Sequence, residues 1–461
     1  MTISRISSSE WRPVVTTRAE RYAAGKALRK RVPRSSHATW PVTPERPDPI
    51  SLLIESNRSR VADLVPIRYG RMALSPFTFL RGAAVVMASD LATTPTSGLQ
   101  VQACGDAHLS NFGIYATPER DQVFDVNDFD ETLPGPWEWD VKRLFASIVV
   151  AGRQNGFTTL ENRQTVLEGV RAYREGMRKF AMMSYLDTWY TAMNLKSMRE
   201  WVLHKKEQAV LTTAIAQSRR RTRLNTFPKL TEIVHGHYRI KDDPPLIVHY
   251  KNLADHENLR AFSEAYLASL PDERRVLWNR YHVVDIAQKV VGVGSVGTIC
   301  AIVLLLGESD IADPLFLQVK EAQASVLAPY VGASIYPNHG QRVVIGQRLM
   351  QGAGDIFLGW SQFGSRDCYV RQLRNRKFSE NIEHLDAQTF ALYARLCGMV
   401  LALPHARSGD PAQISGYLGS GDLFDQAIAD FAEAYADQTE HDYARLLTAI
   451  KEGRVQTETD G

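Results

Sequence analysis

The stretch that decides the reading runs from Leu99 to Leu144: LQVQACGDAHLSNFGIYATPERDQVFDVNDFDETLPGPWEWDVKRL. LQVQAC (99–104) has the pattern of a short strand. GDAHLSN (105–111) is a polar loop opened by a glycine. FGIYA (112–116) and QVFDV (122–126) are apolar runs joined by TPERD, which predicts a β-hairpin. DFDETLPGP (128–136) is turn-rich, and WEWDVKRLFASIVVAG (137–152) returns to a helical period. The order is strand, polar loop, hairpin, acidic turn, helix. Asp106 and Asn111 share one loop, and the hairpin folds Asp128 back beside it. Two carboxylates and a carboxamide gathered this way are hard oxygen donors. Mg²⁺ prefers such donors and usually completes its shell with water and phosphate. Phosphoryl transfer also needs a carboxylate to orient the attacking hydroxyl. Asp106 fits that role, with Asn111 and Asp128 as the metal ligands. GD or DFD alone is ordinary turn chemistry, because Asp and Gly suit turns. Joint order and spacing carry the argument.

Working outward, residues 282–380 are strand-rich. HVVDIAQKVVGVGSVGTICAIVLLL reads as two aliphatic runs around a glycine turn containing Gly292, Gly294, Ser295 and Gly297. A lone G-x-G-x-x-G is weak evidence. In a Rossmann fold a helix follows it, with an acid ~20 residues on, and Glu321 could supply that acid. But TICAIVLLL is β-rich and leads to a turn and another strand, LFLQVKEA (315–322). Its alternation puts Phe316, Gln318 and Lys320 on one face, with Glu321 on the other. Strand, loop and strand form the glycine-rich flap of a kinase, and Lys320 falls on the third strand, where a lysine holds the α- and β-phosphates. No acid in 323–340 offers itself to Lys320. QRVVIGQRLMQ (341–351) predicts a further strand, with a hinge facing adenine near 343–355. The uncharged run Val290–Gly307 approaches the ~18 apolar residues that can span a bilayer. Its glycines, with Ser295 and Thr298, favour strand–turn–strand, so no membrane span is expected.

Residue by residue, the first segment resembles the catalytic core of the kinase-like superfamily, closest to the aminoglycoside and choline phosphotransferase branch, whose loop reads HGDxHxxN. CGDAHLSN matches it at Asp106, His108 and Asn111 and departs at Cys104, Leu109 and Ser110. The resemblance implies that Asp128-Phe129-Asp130 is the DFG-type metal motif. It also implies that Asp140 in WDVKRL braces the catalytic loop, with His108 and Asp130 in supporting roles. FTFLRGAAVVMASDLA (77–92) reads as the helix preceding that loop. The flap and lysine come after the loop here, where ordinary kinases have them before it. Circular permutation explains the order, since chains tolerate it where termini are exposed and close. The chain as a whole is similar to the bacterial domain of unknown function 2252 family. RYGRMALSPFTFLRG, CGDAHLSNFG, VNDFDETLPGPWEWDVKRL, VGVGSVG, FLQVKEA, GQRLMQ, YVRQL and PHARSGD carry that resemblance.

The rest of the chain bounds the answer. It has 461 residues, and its net charge of +3 gives no general reason to expect a nucleic-acid partner. Cys104, Cys300, Cys368 and Cys397 form no CxxC pair or disulfide framework, so a reducing cytoplasm is the expected home. HGH (235–237) lacks a third zinc ligand. RAERYAAGKALRKR (18–31) reads as a short basic helix on a solvated arm, and Arg219, Arg220, Arg221 and Arg223 as a solvated face. Helices are expected over most of 158–275, at 384–403 with Pro404 and Gly409 as terminators, and at 422–451.

The expected fold is α+β: a two-lobed, protein-kinase-like architecture in circularly permuted order. A basic polar arm (1–60) leads to a helical catalytic part (61–281). A strand-rich nucleotide-binding part (282–380) follows, and helices over 381–461 complete the helical lobe. The expected function is an ATP- and Mg²⁺-dependent phosphotransferase acting on a small-molecule hydroxyl acceptor. A nucleotide-binding pseudokinase or nucleotidyl (AMP) transferase, and a Rossmann-type NAD(P) oxidoreductase, stay open as alternatives. The oligomeric state is left open.

Overall fold

The computed structural model describes residues 16–194, 223–249, 256–290, 292–294, 296–307, 313–373 and 382–458, with short pieces at 197–198, 207–209, 212–213 and 215–216. Ser295 of the glycine loop and Arg219, Arg220 and Arg221 of the basic run lie outside the described residues. The fold is mixed α+β.

Helices α1 (Arg18–Leu28), α2 (Pro49–Ser56), α3 (Val65–Met72), α4 (Pro76–Gly82) and α5 (Ala84–Leu91) come first. The helix expected over 77–92 is thus two. Ser75 and Thr78 form a capping box that starts α4, with Pro76 in the first turn. The break falls at Ala83 (φ −110°, ψ 35°). There Arg68 takes the carbonyl of Gly82, while the Leu80 carbonyl accepts from Arg143 as well as from the Ala83 amide.

Strand β1 (Gln100–Ala103) pairs antiparallel with β4 (Leu133–Pro136). Between them β2 (Phe112–Ala116) and β3 (Gln122–Val126) form the expected hairpin, with Phe112 opposite Val126. Helices α6 (Trp137–Gln154), α7 (Thr159–Met182) and α8 (Tyr185–Tyr190) follow. Trp137 stacks on Tyr173, with ring centroids 5.8 Å apart.

After α9 (Arg223–Leu230) comes a small hairpin, β5 (Thr231–Val234) and β6 (His237–Ile240), and then β7 (Ile247–Val248). Helices α10 (His256–Ser269) and α11 (Asp272–Trp278) lead to β8 (His282–Lys289), β9 (Cys300–Leu306) and β10 (Pro314–Glu321). The short α12 (Ala328–Val331) and α13 (His339–Met350) precede β11 (Gly359–Phe363) and β12 (Arg366–Gln372). The six-stranded sheet has the order β11-β12-β10-β9-β8-β7. Every pair in it is antiparallel.

The strand expected at 341–351 is helix α13, so residues 343–350 are not a strand leading to a hinge. Asn338 caps it by accepting from the Gln341 amide at 2.9 Å. Its buried residues Gly340, Arg342, Val343, Val344, Gly346, Gln347 and Met350 recur at helical spacing, whereas the Val-Val-Ile run alone suggested a strand.

Helices α14 (Ala387–Ser408), α15 (Pro411–Leu418) and α16 (Leu423–Lys451) complete the chain. Pro404 does not end α14 but sits inside it; the helix stops at Ser408, with Gly409, the other expected terminator, as its C-cap. Proline removes one ladder bond, and a buried helix supported on all sides can absorb that loss. Among the described residues α14 is the one helix long and apolar enough to cross a membrane, and 89% of that apolar window is buried inside the fold. It lies against α7 at a close approach of glycines: a Cβ on Gly398 would sit 2.2 Å from the Gly169 carbonyl oxygen. The segment expected to be a solvated arm is packed as well. Gly25 of α1 leaves no room for a Cβ against Gln413 of α15, and Arg29 and Arg34 donate to the Tyr417 and Leu418 carbonyls.

Candidate functional site

The polar loop 104–111 is held from beneath by α6. Asp140, in its first turn, accepts from the amides of Cys104 (2.6 Å) and Gly105 (2.9 Å). His405 of α14 lies 3.1 Å from the same carboxylate and is itself 2.8 Å from the Tyr173 hydroxyl. Gly105 has φ +82°, which admits glycine readily, and a Cβ there would stand 2.3 Å from the Glu131 carbonyl oxygen. Two turns on, Ser147 accepts from the Leu109 amide at 2.9 Å.

This bracing fixes Asp106. Its carboxylate is gripped by Arg143 of α6, with Nη2 2.6 Å from Oδ1. Its carbonyl accepts from the His108 amide and from Asn111 Nδ2, both at 2.8 Å. With Nδ2 committed, the oxygen end of Asn111 is the end left to meet a cation. His108 is 4% exposed and its Nε2 lies 3.7 Å from Asp106. Burial pushes its imidazole down to about 3, so it is neutral at physiological pH.

The hairpin brings the acidic turn alongside. The Asn127 amide donates to the Asn111 carbonyl at 2.8 Å, which sets Asp128 beside the loop. Phe129 is buried in the core, and the Asp130 amide donates to Asp128 Oδ1 at 3.3 Å.

From the sheet, Lys320 of β10 reaches into this turn. Its Nζ is 2.5 Å from Asp130 Oδ2 and 4.0 Å from Asp128 Oδ2. Burial disfavours the ammonium, but Asp128 and Asp130 outweigh it and raise Lys320 above the ordinary lysine range. Tyr369, opposite Lys320 on β12, donates to the other oxygen, Asp130 Oδ1, at 2.6 Å. Arg371, two residues on, donates to the Asn127 carbonyl. Arg342 of α13 donates to the carbonyls of Asp130 and Thr132. Glu131 takes the Val326 amide on Oε2 at 2.7 Å, and burial raises its carboxyl to about 7. Glu321, on the other strand face, pairs with Arg366 at 2.9 Å.

Gly292, Gly294 and Gly297 lie in the connection from β8 to β9, with φ +66° at Gly292 and +88° at Gly297. The tip is tied to the N-terminal helices. Arg71 donates to the Gly292 carbonyl, Arg60 to that of Val296, and the Val61 amide to that of Gly297 at 2.8 Å.

A cavity of about 660 Å³ runs between these parts. Asp106, His108, Asn111, Asp128 and Asp130 line it from the loop and turn, and Gly292 and Gly294 from the hairpin tip. Lys320 stands behind Asp130, Asp140 lies beneath the loop, and Gly297 touches Arg60. Among the described residues no group of three His, Cys, Asp or Glu side chains is gathered for a metal. Asn111 with Asp128 is a two-oxygen set, which suits an ion that takes its other ligands from water and phosphate.

Sequence reasoning missed Arg143, Tyr369 and Arg342, and the arginines Arg60 and Arg68 on the cavity wall; Arg81, which also lines it, lies in a segment that carries the family resemblance. Arg143 was within reach of inspection, one helical turn after Asp140. The others come from segments whose approach only the fold reveals. No curated protein and no solved structure matches this sequence. A family model does, over residues 60–449, and the chain belongs to that family, the uncharacterized proteins conserved in bacteria known as DUF2252.

Proposed function

We propose that the protein is a kinase-like phosphotransferase that uses ATP and Mg²⁺. The observation that carries this reading is the grip of Lys320 on Asp130, 4.0 Å from Asp128, in the cavity that Asp106 and Asn111 also line. Lys320 and Asp130 stand 190 residues apart in sequence, and they still meet. The order of β8, glycine tip, β9, lysine strand β10, α13, β11 and β12 supports a kinase-like upper lobe. Catalytic loop before nucleotide lobe is the circularly permuted order. A dinucleotide fold finds no support in this connection, because β9 follows the glycines directly and runs antiparallel to β8.

In this reading the glycine tip covers the phosphates and Lys320 neutralises them from the sheet side. Asn111 and Asp128 would hold Mg²⁺, which supplies charge neutralisation at the phosphates when bound. Asp106 accepts the proton of the acceptor hydroxyl. Arg143 keeps the Asp106 carboxylate in one orientation, and Asp140 keeps the loop backbone still. An acceptor of small-molecule size fits the cavity.

A second reading, a nucleotidyl transferase or a nucleotide-binding pseudokinase, is favoured by one observation. Lys320 is paired to the metal motif itself, and α13, the helix after the lysine strand, carries no acid. A thermal-shift panel of nucleotides with and without Mg²⁺ tests both, because a ligand that binds the native state stabilises it. ATP with Mg²⁺ should raise the midpoint, and Asp106→Asn should keep that rise and lose transfer. Product mass then separates an added phosphate from an added AMP. Stabilisation by NAD(P) with indifference to ATP and Mg²⁺ would overturn the proposal.

A further inference from the structure

The cavity wall carries three arginines that no carboxylate pairs at contact distance among the described residues; Glu131 acts on Arg60 and Arg68, and Asp106 on Arg81, only at longer range. Most lining carboxylates are taken: Asp106 by Arg143, Asp130 by Lys320, Glu321 by Arg366 and Glu55 by Arg58. Arg60, Arg68 and Arg81 also line the cavity, and among the described residues none has a carboxylate at ion-pair distance. Arg60 donates to a carbonyl, that of Val296. Arg68, 2% exposed, donates to the Asn57 side chain and the Gly82 carbonyl. Arg81 makes no side-chain hydrogen bond among the described residues, and its buried Nε, like those of Arg60 and Arg68, is without a partner. A guanidinium is a forked donor that matches oxyanions, and it is expensive to bury unanswered. Burial lowers all three below the usual arginine range, and the charge of Arg60 adds to the effect on Arg68.

Position narrows the ligand. Arg81 is coupled electrostatically to Asp106, and its backbone oxygen is 3.5 Å from where a Cβ on Gly294 would lie. It thus bridges the glycine tip and the carboxylate proposed to take the acceptor proton. Lys320 is tied to the sheet-side wall of the same cavity through Asp130.

We propose that Arg60, Arg68 and Arg81 form a phosphate site beside Asp106, separate from Lys320, with Arg81 as its unsatisfied donor. The proposal rests on the phosphotransferase reading for its role. The phosphate comes from one of two sources: the terminal phosphate of the nucleotide, or a phosphate ester carried by the acceptor.

The test is calorimetric titration of the full chain with inorganic phosphate, with acetate at equal ionic strength as control. It is run on the protein alone and on the protein saturated with Mg²⁺ and either ADP or the non-hydrolysable analogue AMP-PNP. Phosphate should bind and acetate should not, and Arg81→Met should weaken phosphate at least ~10-fold. Arg81→Lys keeps the charge and should fall between, which separates loss of the site from loss of the fold. If AMP-PNP excludes phosphate and ADP does not, the site serves the nucleotide's terminal phosphate. If phosphate binds beside AMP-PNP, it serves the acceptor. Phosphate affinity that is undetectable, or equal in wild type and both variants, overturns the site. Failure of both nucleotides to bind overturns the phosphotransferase reading instead, and the titration of the protein alone still decides the site.

Discussion

Replacing Lys320 by methionine removes one ammonium and keeps a similar volume. Lys320 is 1% exposed, and its Nζ serves Asp130 at 2.5 Å and Asp128 at 4.0 Å. Breaking a buried ion pair by deleting one partner leaves the other charge uncompensated, which costs about 3–5 kcal/mol. Here the acids are only partly buried, with 26% of the Asp130 side chain and 32% of Asp128 exposed, so water recovers part of the loss. The expected destabilisation is therefore about 2–3 kcal/mol. The sign of the pH dependence follows from the raised lysine. Its stabilisation is fully present below the unfolded lysine value of ~10.4 and fades only as pH rises through the higher folded value. The gap between wild type and Lys320→Met should thus be flat from about pH 6 to about pH 9. Urea unfolding of wild type, Lys320→Met, Asp130→Asn and the double variant measures it. The double variant should be more stable than the sum of the singles by at least ~1 kcal/mol, because Asp130 no longer waits for a cation. Additivity within ~0.5 kcal/mol would mean that the two side chains do not depend on each other, and the joining of sheet to acidic turn would lose its basis.

Two further outcomes follow from the geometry. Gly105→Ala should abolish the native loop, since its Cβ would meet the Glu131 carbonyl at 2.3 Å, whereas Gly292→Ala enters open space at φ +66° and should cost only ~1 kcal/mol. Equal midpoints for these two variants in thermal unfolding would refute the assignment of loop 104–111 as rigidly braced. Glu131 has a carboxyl raised from 4.5 to about 7, so ionising it works against the native state. The wild type should lose stability as pH rises from about 4.5 to about 7, and Glu131→Gln should gain on it over that window and stay ahead above it. Parallel melting-temperature curves for the two proteins would contradict that.

What was legible in the sequence is what depends on neighbours along the chain. The loop and hairpin could be read because alternation and turn residues are local signals, and Lys320 because its strand alternates. α13 misled because Val343, Val344 and Ile345 favour strands, while the helix is specified by the Asn338 cap and by packing against the sheet. At the break around Ala83, Arg68 and Arg143 donate to the Gly82 and Leu80 carbonyls, and no window over 77–92 contains these two arginines. The packing of α1 was hidden for a similar reason. Its polar composition suggested solvent, and Gly25, the residue that allows the close approach, is silent until Gln413 is placed beside it. The acid that answers Lys320 was sought in the segment after it and lies in the turn at Asp130. An arginine's partner is the least readable feature of all, since its long side chain reaches groups from any element.

The tie between hairpin tip and N-terminal helices has a kinetic consequence. Residues 60–71 are stitched to Gly292, Val296 and Gly297 through Arg60, Val61 and Arg71, so the two strips are expected to move as one beside the cavity. Whatever leaves past them must wait for the stitches to part. The Val61 amide hydrogen, held by the Gly297 carbonyl, then serves as a built-in timer: its exchange with solvent deuterium reports how often the door is ajar.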